Sequence, residues 1–182
     1  MPETGKKFVA LLRGINVSGQ KKIKMADLRN SLSKGGIEDV QTYIQSGNIV
    51  FRSIVSDTYK MEKSIHKIIQ EDFGFDVPVI VLSKAKLDAV LSNNPFTDSE
   101  KIEKSYYTIL EKIPTKEALD RLYEKSYEPE EFHYADGVVY LYSPAGAAKS
   151  KLSNNLFESK LKMHATTRNG RTLHTLKSML QE

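Results

Sequence analysis

Two tight turns constrain this chain of 182 residues more than any other feature. Asp136-Gly137 interrupts the strand-like run from Phe132 to Leu141, and Ser46-Gly47 separates a run at Val40 to Gln45 from another at Asn48 to Arg52. Connections this short cannot return a chain to a parallel neighbour, so each demands an antiparallel hairpin. Asp-Gly is the stronger signal, because both central residues of a type I′ turn need φ > 0.

The elements around the hairpins repeat in one order. Phe8 to Arg13 (FVALLR) is a short apolar run ending at a glycine-bearing loop, as a buried strand does. Met25, Leu28 and Leu32 make one helical stripe that stops at Gly35 and Gly36. After the first hairpin, Met61, Ile65, Ile68, Ile69 and Phe73 form a longer stripe, with Ser56 or Asp57 as its cap and Gly74 at the C′ position. Val77 to Leu82 closes the set as a strand. The order β, α, β, β, α, β is the ferredoxin-like split βαβ arrangement.

A short helix (Ala85 to Leu91) and a polar stretch at Asn93, Asn94 and Pro95 lead into the same order again. Ser105 to Leu110 reads as a strand, and Leu119, Leu122 and Tyr123 as the face of a helix beginning near Thr115. The Asp136-Gly137 hairpin comes next, then a helix face at Leu156, Phe157 and Leu161, and a brief strand at His164 to Arg168. Asn169 or Thr167 caps a terminal helix with Leu173, Leu176 and Leu180 on one side. The expected class is α+β, with two ferredoxin-like (βαββαβ) halves, residues 1–92 and 93–182, antiparallel sheets, and extra helices between the halves and at the C-terminus.

Composition agrees with a water-soluble, packed chain: 40% of residues are hydrophobic and ten are glycine. The apolar run from Phe8 to Leu12 is far short of the ~20 residues a membrane span needs. With no cysteine there is no disulfide, thiolate nucleophile or thiolate zinc site. The expectation is a cytoplasmic protein with no membrane association, no metal and no cofactor.

Charge is distributed unevenly. Arg13 to Lys34 holds six basic residues (Arg13, Lys21, Lys22, Lys24, Arg29, Lys34) and one acid, Asp27, a local charge of +5. Ala145 to Glu182 carries seven basic residues against Glu158 and Glu182, again +5, while Asp98 to Glu131 carries −4. Basic regions of this kind attract anions when they converge, and otherwise are simply solvated helix faces.

Strand alternation about a two-residue turn puts Ile44, Ile49 and Phe51 on one face and Tyr43, Gln45, Asn48 and Val50 on the other. Leu28, Ile44, Phe51, Ile65 and Ile68 are therefore expected in the first core. Both faces of the first sheet are apolar, so helices should cover one side and partial cover the other. An RNA-recognition motif shares this element order, but it needs exposed aromatic rings where this chain has Asn48 and Val50. In the second half His133, Tyr140 and Tyr142 share a face, either as a stacking surface or as ordinary half-buried strand aromatics.

The loop after the first strand copies the glycine spacing of a P-loop at Gly14 and Gly19, yet Gln20 and Lys21 stand where Lys and Ser or Thr are required. Nucleotide hydrolysis by that mechanism is excluded. Its backbone amides beside Arg13, Lys21, Lys22 and Lys24 remain suited to a phosphate or carboxylate. Because the first and third strands of a ferredoxin-like sheet are antiparallel neighbours, Arg13 and Asn16 should lie beside Gln45, Ser46 and Asn48, with Arg13 as the anion anchor unless a carboxylate such as Asp39 claims it. Turn chemistry alone also accounts for Ser46, Gly47 and Asn48. The histidines His66, His133, His164 and His174 show no metal-ligand spacing, Ser46 has no G-x-S-x-G frame, and His66 reads as a surface residue.

Three stretches together, LLRGINVSGQKKIKM (Leu11 to Met25), TYIQSGNIVF (Thr42 to Phe51) and TTRNGRTL (Thr166 to Leu173), resemble the bacterial domain-of-unknown-function family numbered sixteen ninety-seven. The resemblance implies a two-part α+β fold and transfers no activity, cofactor or catalytic residue. It marks Arg13, Asn16, Gln45, Ser46, Asn48, Thr167, Arg168 and Asn169 as motif positions. Members usually carry a large aromatic residue, typically Trp, where this chain has Gly170, and often Lys where it has Gln20. Two functions remain open. One is a binding module for an anionic small molecule or nucleic acid, using Lys22, Lys24 and the helix start from Thr167 to Arg171. The other is an enzyme acting on a small phosphorylated or carboxylated metabolite.

Overall fold

Both hairpins form, and each builds an antiparallel four-stranded sheet in the computed structural model, which describes residues 4–182. In the first sheet β1 (Lys6–Leu12) lies between β3 (Asn48–Ser53) and β4 (Val79–Ser83), with β2 (Glu38–Tyr43) on the outer edge of β3. Two helices cover one face, α1 (Met25–Lys34) and α2 (Thr58–Phe73). Their stripes behave as the spacing predicts: Met25, Leu28 and Leu32 of α1 and Met61, Ile65 and Ile69 of α2 are buried against Phe8, Ala10, Leu12, Ile49 and Phe51. Asp57, rather than Ser56, caps α2 by accepting from the Lys60 amide at 3.2 Å, and Gly74 ends it with φ +71°.

The first hairpin turns one pair of residues earlier than the sequence suggests. Tyr43 pairs with Asn48, leaving Ile44, Gln45, Ser46 and Gly47 as a four-residue turn with φ +49° at Ile44 and +83° at Gly47. Ile44 is consequently expelled from the sheet and is 49% exposed, correcting its assignment to the core. Ile68 is only partly buried, at the margin of the same cluster. The parity of the strands survives, because lengthening a turn by two residues keeps side chains on their faces. On β2 the register shifts between Glu38 and Gln41, and Asp39 takes φ +49°, which marks a bulge.

The second sheet reproduces the topology. β5 (Ser105–Leu110) lies between β7 (Val138–Tyr142) and β8 (Ala165–Asn169), and β6 (Glu131–Ala135) forms the edge. Asp136 and Gly137 both have positive φ, +49° and +81°, as a type I′ turn requires. Packed on one face are α5 (Lys116–Tyr123), capped by Thr115, and α6 (Asn154–Leu161), capped by Ser153. Also present are α3 (Lys84–Ser92), α7 (Gly170–Gln181), the short α4 (Ser99–Glu103) and a 3-10 turn at Ala147–Lys149. Neither of the last two carries an apolar stripe for periodicity to reveal.

By contact the chain divides into two compact units, one holding residues through Asp88 together with Thr175–Glu182, the other Ala89–His174. Each contains one complete sheet. No helix among the described residues is long and apolar enough to cross a membrane.

Phe51 is 1% exposed and its ring stacks on Phe8 at 5.9 Å between centroids. Phe51→Ala should therefore cost ~3–5 kcal/mol through the cavity it leaves. Ile44→Ala, at the expelled position, should change stability by less than ~0.5 kcal/mol. Urea melts of the two variants test the assignment together.

Candidate functional site

At the end of β1 the backbone enters the loop from Arg13 to Lys24 with positive φ at Gly14, Asn16, Ser18, Gly19 and Lys21. Such a path is costly for most residues, and asparagine is among the few that tolerate it. Asn16 does more than tolerate it. Its Nδ2 donates to the Ile23 carbonyl at 2.9 Å and to the Gln45 carbonyl at 2.8 Å, while its Oδ1 accepts from the Ile23 amide at 2.9 Å. Backbone bonds from Asn16 to Lys21 (3.2 Å) and from Gln20 to Val17 (2.9 Å) close the tip, and the buried Ile15 and Ile23 pin its base. The loop is thus braced against the hairpin rather than flexible.

The hairpin meets it from the other side. Gly47 accepts from the Leu12 amide at 2.8 Å, and a Cβ at Gly47 would lie 2.6 Å from Leu12 Cβ, so only glycine fits. Asn48 is fully buried, its Nδ2 donating to the Tyr43 carbonyl at 3.0 Å and to Ser46 Oγ at 2.9 Å. Asn16, Gln45, Ser46 and Asn48 therefore do come together, and Arg13, just past the end of β1, is half-buried with its amide bonded to the Pro78 carbonyl at 3.0 Å. The two asparagine amides spend their donors on the fold itself. Asp39, the carboxylate that would have made Arg13 structural, pairs instead with Arg52 at 2.8 Å.

Three lysines follow on the loop. Lys21 Nζ donates to the Asp76 carbonyl at 2.5 Å, tying the loop to the segment before β4, while Lys22 and Lys24 are exposed. The Asp76 carboxylate meets His66 Nε2 at 2.7 Å. Sequence reading placed His66 on the surface without this partner; the pair forms because Gly74 turns the chain back along α2 and brings Asp76, ten residues on, to the imidazole. Both groups are partly exposed, so the pair adds little stability.

The third motif stretch lies in the second unit and is largely structural. Thr167 Oγ1 meets Thr108 Oγ1 at 2.8 Å and donates to Asn154 Oδ1 at 2.9 Å. Asn169 caps α7, accepting from the Thr172 amide at 2.8 Å, which settles the cap in favour of Asn169 over Thr167. Arg168 is buried and folds back to donate to Thr166 Oγ1 at 2.6 Å and to the Thr167 carbonyl at 3.0 Å. Arg171 is exposed on the first turn of α7. Gly170 faces Tyr107, whose ring lies 3.5 Å from where a Cβ would stand.

The aromatic face of the second hairpin is occupied by the protein itself. Tyr140 is 1% exposed, packs edge-on to Tyr107 at 5.5 Å and donates its hydroxyl to the Val90 carbonyl at 2.9 Å. Phe96 covers His133 at 5.6 Å and Tyr142 at 6.2 Å, and Lys101 lies over the Tyr142 ring. Of the three residues on that face, Tyr140 is a buried packing group, while Tyr142 is half-buried and His133 exposed beside Phe96. Among the described residues no cluster of three His, Asp or Glu side chains could hold a metal.

Asn16→Ala should lower stability by roughly 1–3 kcal/mol, since it removes three hydrogen bonds, two of them to the buried Ile23, and should loosen the loop as seen by amide exchange. Burial, then the neighbouring Tyr107 and Asp136, push the Tyr140 phenol up to about 12 from 10.0. The unfolded chain then releases this proton first, so its contribution is intact below about pH 10 and is lost as pH rises toward 12. Tyr140→Phe should cost roughly 1 kcal/mol at neutral pH and flatten the alkaline fall in stability by about 2–3 kcal/mol, measurable by urea melts at rising pH.

Comparison with solved structures finds a conserved bacterial protein from Streptococcus pneumoniae, 25% identical, with a TM-score of 0.79 over 98% of this chain and 99% of that one. Functionally curated proteins give no significant match. Residues 6–140, including the braced loop and both hairpin turns, match the family described as protein of unknown function (DUF1697). With the match spanning well over half its length, the chain belongs to that family.

Proposed function

We propose that this protein is a cytoplasmic binding module for an anionic ligand, a phosphate-bearing small molecule or nucleic acid, recognised by the Arg13 to Lys24 loop. The observation that carries this reading is the bracing of that loop by Asn16, which holds a glycine-rich, basic segment in one shape. A loop ordered in advance loses little entropy on binding, so its charges act at full strength. Lys22 and Lys24 project from it without an ion-pair partner among the described residues, and Arg13 adds a guanidinium whose fork of donors matches paired phosphate oxygens. The cysteine-free composition supports the cytoplasmic location.

The enzymatic reading, on a small phosphorylated or carboxylated metabolite, draws on the imidazole and carboxylate of His66 and Asp76, linked to the same loop through Lys21. Proton transfer would require a substrate within reach of that imidazole. The binding reading needs no such placement and is preferred.

Fluorescence anisotropy with a labelled single-stranded oligonucleotide, and calorimetry with pyrophosphate, test the proposal. Lys22→Glu combined with Lys24→Glu should weaken binding about tenfold or more and leave the melting temperature nearly unchanged. If the ligand is a polymer, the same variant should reduce the salt slope by about 2. Equal binding by the wild type and the variant would remove the loop from the reading.

A further inference from the structure

A cavity of about 650 Å³ opens in the first unit at the start of β1, the opposite end of the strand from the Arg13 to Lys24 loop. Seven residues of strand separate the two places, roughly 20 Å. Four cationic residues line it, Lys6 and Lys7 from β1, Arg52 from β3 and Lys84 from the start of α3, and the pairing of Lys7 with Arg52 and of Lys6 with Ser53 puts Lys7 and Arg52 on one face of the sheet and Lys6 on the other. Two of them are held in place. Arg52 donates through Nε to Asp39 and through Nη1 to the Gly5 carbonyl, both at 2.8 Å, and Lys7 Nζ donates to the Met179 carbonyl at 3.2 Å. Lys84 is exposed and has no ion-pair partner among the described residues.

Acidic groups cancel part of this charge, since Asp39 pairs with Arg52. Asp88 on the same wall is matched by Lys177, whose Nζ lies 3.0 Å from Oδ1 as a charge contact rather than an aligned hydrogen bond. Glu182 remains as a carboxylate at the α7 side. Leu180 of α7 adds an apolar residue to the lining. The volume lies within the ~300–1,000 Å³ of small-molecule sites, a size that suits a compact anion.

We infer that this cavity is a second binding site, for a small phosphorylated metabolite whose phosphate is held by Lys84 and Lys7 beside the fixed Arg52. Ammonium groups on flexible stems close on a phosphate as point charges, while the anchored guanidinium sets its position. The carboxylate of Glu182 faces the site from the α7 side and is suited to accept from a ligand hydroxyl. This site is independent of the loop at the other end of β1.

Two-dimensional NMR of the full chain, titrated with ribose 5-phosphate and with ribose, tests it. Ribose 5-phosphate should shift the backbone amides of Phe8, Ser83 and Ala85 saturably at millimolar concentration, and ribose should not. Lys84→Glu should weaken that binding about tenfold, with Lys84→Gln as the milder variant should reversal disturb the fold, and Lys6→Glu, on the opposite face of the sheet, should weaken it far less. The loop variant with Lys22→Glu and Lys24→Glu should leave these shifts intact. Absence of saturable shifts at those amides, or shifts confined to residues 13–24, would overturn the cavity while sparing the loop reading. Equal shifts with citrate would overturn the choice of phosphate.

Discussion

A strand with neighbours on both edges and apolar cover on both faces cannot be held in register by polarity, and β1 is such a strand. Val9, Ala10, Leu11 and Leu12 are all fully buried, so a slip of one residue would exchange one apolar set for another. Shape has to decide instead. Phe8 stacks on Phe51 at one end of the β1–β3 pair, and at the other Leu12 rests on Gly47, where no side chain would fit. The buried Asn48, bonded to Tyr43 and Ser46, fixes the neighbouring β2–β3 turn in the same way.

The same residues that fix this register build the candidate site. Asn16 reaches across to the carbonyl of Gln45 in that turn, so the loop takes its shape from the hairpin that aligns the strands. In the second unit hydrogen bonds between side chains do comparable work on β8. The fully buried Thr108 on β5 meets Thr167 on β8, and Thr167 reaches Asn154, whose Nδ2 returns to the Ala165 carbonyl. Motif residues in both units thus serve the fold first, and the groups left for a ligand are the flexible cations around them.

Local chemistry made much of this legible. Asp136-Gly137 states its own turn type, and the stripes of α1 and α2 follow from spacing alone, as does the convergence of Asn16 with the Ser46 hairpin. Ile44 misled because an apolar residue in an alternating run reads as core, whereas the four-residue turn displaces it. Where partners are brought together only by the completed fold, sequence was silent. His66 and Asp76 meet through the return of the chain at Gly74, and the cations at the start of β1 come from three separate strands and helices. Even the burial of Tyr140 depends on Val90, fifty residues away.

The bulge on β2 has a consequence for the molecule in a crowded solution. An outermost strand presents unpaired amides and carbonyls that can template sheet growth between molecules. Here the regular ladder breaks between Glu38 and Gln41, Asp39 turns its backbone out of the extended form, and its carboxylate stands beside Arg52. An incoming strand would have to dehydrate that charge and follow an irregular backbone at once. The sheet edge on this side is thereby protected against self-association, by a single residue that the core does not need.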